Sequence, residues 1–209
     1  MVEIGAPMFG PWKPPGDDPR FLGVRLLILG ESHYAETGEK YSPAELKEFT
    51  REIVMRWGAE AEGYQRFFAN VYRTFNEEPA GHADDAFRAF WNSIYFYNYV
   101  QELVRGGARV RPSGAAFANS AAAFHWVLDD IKPEAVVVVG QTTWDLMSEG
   151  NAERLPEVEV GLGAVWRYRY AGGKCYVAHT HHPAKTGYAA AEWRPRVRQF
   201  LTWVCEQRP

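Results

Sequence analysis

Apolar and polar positions along the chain fall into short continuous runs that alternate with longer amphipathic stretches. Val24 to Leu29 is apolar apart from Arg25 and stops at Gly30, the pattern of a strand buried on both faces. Ser42-Pro43-Ala44-Glu45 supplies a cap, a proline and an acidic residue for a helix that runs to about Trp57, where Gly58 ends it. Glu62 to Thr74 reads as a second helix with Tyr64, Phe67, Phe68 and Val71 on one face, and Asp84 to Trp91 as a short third. Ser93 to Tyr97 is β-prone and leads into Asn98. Pro112-Ser113 opens a loop, Ser120 to Ile131 is helical, and Lys132-Pro133-Glu134 breaks that helix. Ala135 to Val139 is the clearest strand; Gly140 closes it, and Thr142 to Met147 begins the next helix. Ala164 to Tyr170 and Lys174 to His179 flank the turn Ala171-Gly172-Gly173 as a hairpin. His181 to Gly187 is a loop, and Ala190 to Glu206 a final amphipathic helix.

Strands alternating with helices predict an α/β fold, a parallel sheet covered on both faces. Residues 1–20, rich in Pro and Gly and without period, read as an extended arm, and residues 21–209 as a single domain. In such sheets ligands bind beyond the carboxyl ends of the strands. Three segments fall there: Gly30 to Tyr34, Asn98 to Gln101, and His179 to Gly187.

Composition narrows the class. Apolar residues make up 46% and charged residues 23%, ordinary for a soluble globular protein. No apolar run approaches the ~20 residues of a membrane span, and no basic flank with an apolar stretch opens the chain, so no membrane partner and a cytoplasmic location are expected. Cys175 and Cys205 read as reduced thiols and fall short of the set that an iron–sulfur cluster takes. The net charge of −3 argues against tight non-specific DNA binding and leaves room for a local basic patch.

Each of the three segments carries candidate chemistry. Gly30-Glu31-Ser32-His33-Tyr34 puts four polar side chains after a glycine that allows a tight turn. Asn98, among Tyr95, Phe96, Tyr97 and Tyr99, offers a donor and an acceptor that suit the edge of a base; the alternative is a cap for a helix starting near Tyr99. In His179-Thr180-His181-His182-Pro183-Ala184-Lys185-Thr186-Gly187, strand alternation puts His179 and His181 on one face and His182 on the other, and Pro183 fixes the loop. A serine hydrolase with Ser32, Asp145 and His182 is one reading, since Gly30 to Tyr34 half-matches a nucleophile elbow. Zinc held by the histidines with Glu31 or His33 is another, without diagnostic spacing.

Taken together and in this order, the segments resemble the uracil-DNA glycosylase superfamily from about Val24 to the final helix. Gly30-Glu31 resembles the Gly-Glu opening of the first motif in the thermophilic-type enzymes, and Tyr34 the pocket tyrosine. Asn98, with Arg111-Pro112 downstream, resembles the base-reading asparagine and its Arg-Pro; Lys132-Pro133, Val136 to Gly140 and His182-Pro183 resemble later family segments. The resemblance implies a three-layer α/β/α sandwich around a mostly parallel four-stranded sheet. It implies a DNA glycosylase that hydrolyses the N-glycosidic bond of a deaminated or damaged base, uracil or a relative, flipped from DNA. By the same resemblance His182 holds the carbonyl oxygen of the departing base and Asn98 reads its edge. Tyr34 closes the pocket against a 5-methyl group, and Glu31 stabilises the sugar cation or activates water. Backbone beside Gly30 and after Pro183 holds phosphates, Lys185 lies against the strand, and Tyr188 is a candidate wedge. Ser32 stands where the family carries a water-activating aspartate, His33 replaces the proline beside it, and Ala184 replaces the serine after His-Pro. His33 is thereby a new acid or base beside Glu31. The expected partner is DNA with a modified base, or a nucleotide-like small molecule, and the expected state is a monomer without metal or cofactor. The competing class is a non-catalytic nucleic-acid or nucleotide-binding module on the same fold.

Overall fold

The computed structural model describes residues 5–77, 84–107, 110–156 and 161–208; residues 1–4 of the expected arm lie outside them. Four parallel strands form the centre: β1 (Leu26–Gly30), β3 (Tyr95–Asn98), β5 (Ala135–Val139) and β8 (Gly173–Thr180). Among the described residues the sheet has six strands rather than the expected four. β7 (Trp166–Tyr170) turns back antiparallel on β8, and the two-residue β6 (Glu153–Arg154) pairs with β7, giving the order β3-β1-β5-β8-β7-β6. The hairpin extends the sheet because its turn returns the chain directly to the edge of β8. A separate pair, β2 (His33–Ala35) and β4 (Leu103–Arg105), stands beyond the ends of β1 and β3.

Alternation along the strands divides the core in two. Leu26, Ile28, Val137 and Val139 pack with α1 (Pro43–Val54), α2 (Arg66–Phe75), α3 (Asp85–Trp91) and α7 (Ala190–Glu206). Leu27, Leu29, Val136 and Val138 pack with α4 (Gly114–Asn119), α5 (Ala121–Ile131) and α6 (Gln141–Leu146). The result is the expected three-layer α/β/α sandwich. Each large apolar side chain fully buried here, such as Phe200 or Phe124, contributes roughly 2 kcal/mol of transfer free energy.

Local chemistry sets the helix ends. Ser42 and Glu45 form a capping box: the Ser42 N–H donates to Glu45 Oε2 at 2.7 Å, and the Glu45 N–H to Ser42 Oγ at 3.3 Å. Gly58 does not stop the helix as a cap. The chain runs on through a π-helical turn, Met55–Ala59, and Gly58 is buried under Trp91, where a Cβ would sit 2.8 Å from the indole. Residues 5–20 hold little regular structure and are tied down by Phe9, fully buried, and Trp12, whose backbone bridges Phe96. No described helix is long and apolar enough to cross a membrane.

Candidate active site

β1 and β3 end side by side, with Gly30 opposite Asn98. The chains then continue together: the Tyr99 N–H donates to Gly30 O at 3.0 Å and the Val100 N–H to Glu31 O at 2.8 Å. No helix starts at Tyr99, so Asn98 is not a cap. A Cβ at Gly30 would lie 2.2 Å from Asn98 Oδ1, so glycine is what admits the carboxamide across the strand end.

A cavity of about 590 Å³ opens beyond these ends and those of β5 and β8. Glu31, Tyr34, His182 and Lys185 line it, joined by Arg111, Thr142 and His181. The Glu31 side chain is only 7% exposed, and a buried carboxylate needs partners. Arg111 Nη1 donates to Glu31 Oε2 at 3.1 Å and to Thr142 Oγ1 at 3.3 Å. The Tyr34 hydroxyl donates to Glu31 Oε1 at 3.4 Å. Burial pushes the Tyr34 phenol up, keeping that donor protonated.

His182 is held in one tautomer. The Ala184 N–H donates to its Nδ1 at 3.2 Å, which assigns the proton of the neutral ring to Nε2. Burial, and then the Arg111 cation, lowers its pKa and favours that neutral form. The loop carrying it is anchored by one polar stripe of α2. Asn70 Nδ2 donates to Pro183 O at 2.7 Å, Arg66 Nη2 to Lys185 O at 3.4 Å, and Thr74 Oγ1 lies 2.7 Å from the Tyr188 hydroxyl. Pro183 is therefore buried as part of the anchor, and Tyr188 is tied to α2.

His33, Ser32 and Asn98 sit behind the cavity and are not among its lining residues. His33 is 3% exposed, meets Phe9 and Phe49 edge-on, and bonds Thr50 Oγ1 through Nε2 at 2.9 Å. Desolvation lowers its pKa to about 3, so it stays neutral at ordinary pH. Asn98 Nδ2 donates to Ser32 O at 3.2 Å and lies 3.2 and 3.3 Å from the two ring nitrogens of His33. A lone pair in the ring plane serves one donor, so near-equal distances to both nitrogens put the amide over the ring face. His33 thus acts as a platform for Asn98.

In the third segment His179 parts from His181 and His182. His179 stacks on Trp144 at 4.6 Å and pairs with Gln141, whereas His181 meets Trp193 at 4.9 Å. The expectation that His179 and His181 share a face fails because β8 ends at Thr180 and alternation ends with it. His181 and His182 both reach the cavity for the same reason.

The hydrolase arrangement is not assembled. In a triad Nε2 takes the serine proton while Nδ1–H points to a carboxylate. Here Nδ1 accepts from Ala184, and Asp145 accepts from Gln141 Nε2 at 2.8 Å. No group of three or more His, Cys, Asp or Glu among the described residues comes together to hold a metal ion.

Sequence reasoning assigned no role to Arg111, Thr50, Arg66, Asn70 or Thr74. The last three had a usable signal, polar residues four apart along one line of α2. Arg111 was visible only as half of the Arg-Pro downstream of Asn98, and its pairing with Glu31, 80 positions away, had no signal.

Comparison with known proteins adds one finding. No curated protein matches the sequence. The family model of the uracil DNA glycosylase superfamily matches residues 20–202, from the residue before β1's lead-in turn to the last turns of α7. With that match over most of its length, the chain belongs to the uracil DNA glycosylase superfamily.

Proposed function

We propose that this cavity receives a nucleobase on its sugar and releases the base by hydrolysis of the N-glycosidic bond. The observation that carries the reading is the pairing, in one cavity, of a neutral His182 with its proton on Nε2 and the buried carboxylate of Glu31. Glycosidic cleavage separates charge: the base leaves as an anion and the sugar becomes an oxocarbenium-like cation. A fixed neutral donor stabilises the first, and such a donor typically contributes about 3 kcal/mol. A carboxylate stabilises the second or deprotonates the attacking water. Tyr34, half-buried at the wall, limits the width beside the base. Asn98, held behind the lining by Ser32 O and the His33 face, reads the base only if the wall in front of it gives way as the base is seated. The substrate is a deaminated or damaged base in DNA, uracil being the first to test.

A second reading, a non-catalytic binding module, draws support from Glu31 already being engaged by Arg111, and from Ser32 in the water-activating position.

A panel of oligonucleotides carrying uracil, hypoxanthine, xanthine and other modified bases, scored by alkaline strand cleavage, separates the two. Base release by the wild type, cut more in turnover than in affinity by Glu31→Gln, supports the enzyme. Binding without cleavage of any member supports the module.

A further inference from the structure

We propose that Arg111 reads a phosphate beside the base, its guanidinium holding Glu31 with one edge and a nucleotide phosphate with the other. The proposal rests on the reading above for the nucleotide character of the guest, and it assigns that guest's phosphate to a particular side chain.

Arg111 uses a single nitrogen, Nη1, for both of its protein contacts, Glu31 Oε2 and Thr142 Oγ1. Its Nε and Nη2 have no protein partner among the described residues. The two ends of the ion pair also differ in exposure: Arg111 is 69% exposed and Glu31 7%. One edge of the planar fork is thus committed to a buried carboxylate while the other faces solvent at the cavity mouth. A guanidinium presents several N–H donors in a fixed plane, the geometry that takes two phosphate oxygens at once.

The surrounding charge agrees. Among the described residues the lining holds two basic side chains, Arg111 and Lys185, against one acidic one, Glu31, in a protein whose formal net charge is −3. The mouth is therefore locally positive on an acidic molecule, which favours a phosphate there over elsewhere on the surface. A free base or nucleoside leaves the outer edge of Arg111 unused; a nucleotide fills it. The phosphate comes from a phosphodiester of a strand or from the phosphomonoester of a free nucleotide.

The experiment is a cycle between side chain and phosphate. The probe is a short fluorescent single-stranded deoxyoligonucleotide with a tetrahydrofuran abasic analogue, read by anisotropy. It is made with natural linkages, and with a methylphosphonate replacing either linkage flanking the analogue. Neutralising one of the two should weaken wild-type binding about tenfold. Arg111→Gln should weaken binding of the natural strand by a similar factor and then be indifferent to the neutralised linkage. Arg111 is exposed, and circular dichroism and a thermal melt of the variant confirm that it is folded. In a second arm, calorimetry compares deoxyuridine 5′-monophosphate with deoxyuridine. Arg111-dependent preference for the monophosphate, without strand binding, keeps the phosphate site and assigns it to a free nucleotide. Wild-type binding indifferent to both neutralised linkages, with no preference for the monophosphate, overturns the proposal. Losses that simply add in Arg111→Gln, or no binding of any probe, overturn it too. The glycosylase reading fails separately, through absence of base release while the phosphate dependence stands.

Discussion

Cavities of about 590 Å³ open at both ends of the parallel sheet, yet their chemistry differs. The one at the amino ends is lined by Glu134, Arg169, Tyr170, Lys174, Tyr176 and Arg208 among others. The carboxylate among its described lining residues is saturated. Glu134 accepts from the Arg25 N–H at 2.8 Å, from Arg20 Nη1 at 2.7 Å and from Arg208 Nε at 2.8 Å. The Tyr170 hydroxyl donates to Pro133 O, and the Lys174 ammonium sits over the Tyr176 ring. Among the described residues no histidine lines that cavity. At the carboxyl ends, by contrast, polar groups are held by the protein on one side and left with capacity on the other. His182 spends Nδ1 on Ala184, and Arg111 spends only Nη1. Volume does not separate the two ends; hydrogen-bonding capacity left over after folding does.

The sharpest way to break this comparison is to truncate one residue at each end. His182→Ala should slow base release by two to three orders of magnitude, equivalent to roughly 3 kcal/mol of transition-state stabilisation. Arg208→Ala should leave the rate in place. Single-turnover cleavage on the best substrate from the modified-base panel measures both. Comparable losses at the two ends would mean that the amino-end cavity is not a bystander.

A smaller effect concerns what lies behind the site. The folded pKa of His33 is depressed to about 3 by burial, so the unfolded chain takes up a proton near pH 6.5 that the folded chain refuses. Stability therefore rises with pH between about 3 and 6.5, and falls as acid is added across that window. The cost at pH 5 is about 2 kcal/mol relative to neutral pH. Burial also lowers His179 and His182, which act in the same direction, so the variant is needed to isolate His33. Urea unfolding at pH 8 and pH 5 should show His33→Phe losing about 2 kcal/mol less than the wild type on acidification. Parallel losses would show that His33 is not the buried neutral base beneath Asn98.

The same contrast explains what could be read from the sequence. β1 and β5 were legible because a strand buried on both faces is a continuous apolar run, and Leu26–Gly30 and Ala135–Val139 are such runs. The convergence of Glu31 and His182 followed from parallel order alone. α4 was not legible: Gly114–Asn119 is six residues long, with an Ala-rich composition and no amphipathic period, and its start is marked chiefly by the Ser113 cap. β2 and β4 are three residues each and exist only because they meet across the ends of β1 and β3. His33 illustrates the limit most clearly. Its neighbours in sequence, Ser32 and Tyr34, suggested an acid or base beside Glu31. Its neighbours in space, Phe9, Phe49 and Thr50, make it a neutral support.

The smallest expected effect tests whether burial, rather than the mere presence of ion pairs, distinguishes the two ends. Burial pushes the Glu134 carboxyl up, but the Arg208 and Arg25 donors, with the Arg20 charge, outweigh it and hold it below the usual range. Its contribution is present above the unfolded value near 4.5 and is lost as pH falls through the lower folded value. Glu134 is 25% exposed, and its partners Arg20 and Arg208 are 35% and 40% exposed, so solvent screens these pairs. Glu134→Gln should cost less than about 1 kcal/mol at neutral pH. That cost should largely vanish in about 1 M sodium chloride, where the screening length falls to ~3 Å. Arg111→Gln at the other end leaves a carboxylate only 7% exposed with the Tyr34 hydroxyl but no cation, and salt ions reach a buried charge poorly, so its cost should persist in the same salt. Denaturation of both variants in low and high salt makes the comparison. Equal salt sensitivity would show that both are ordinary surface pairs, and the carboxyl end would then owe its distinction to His182 alone.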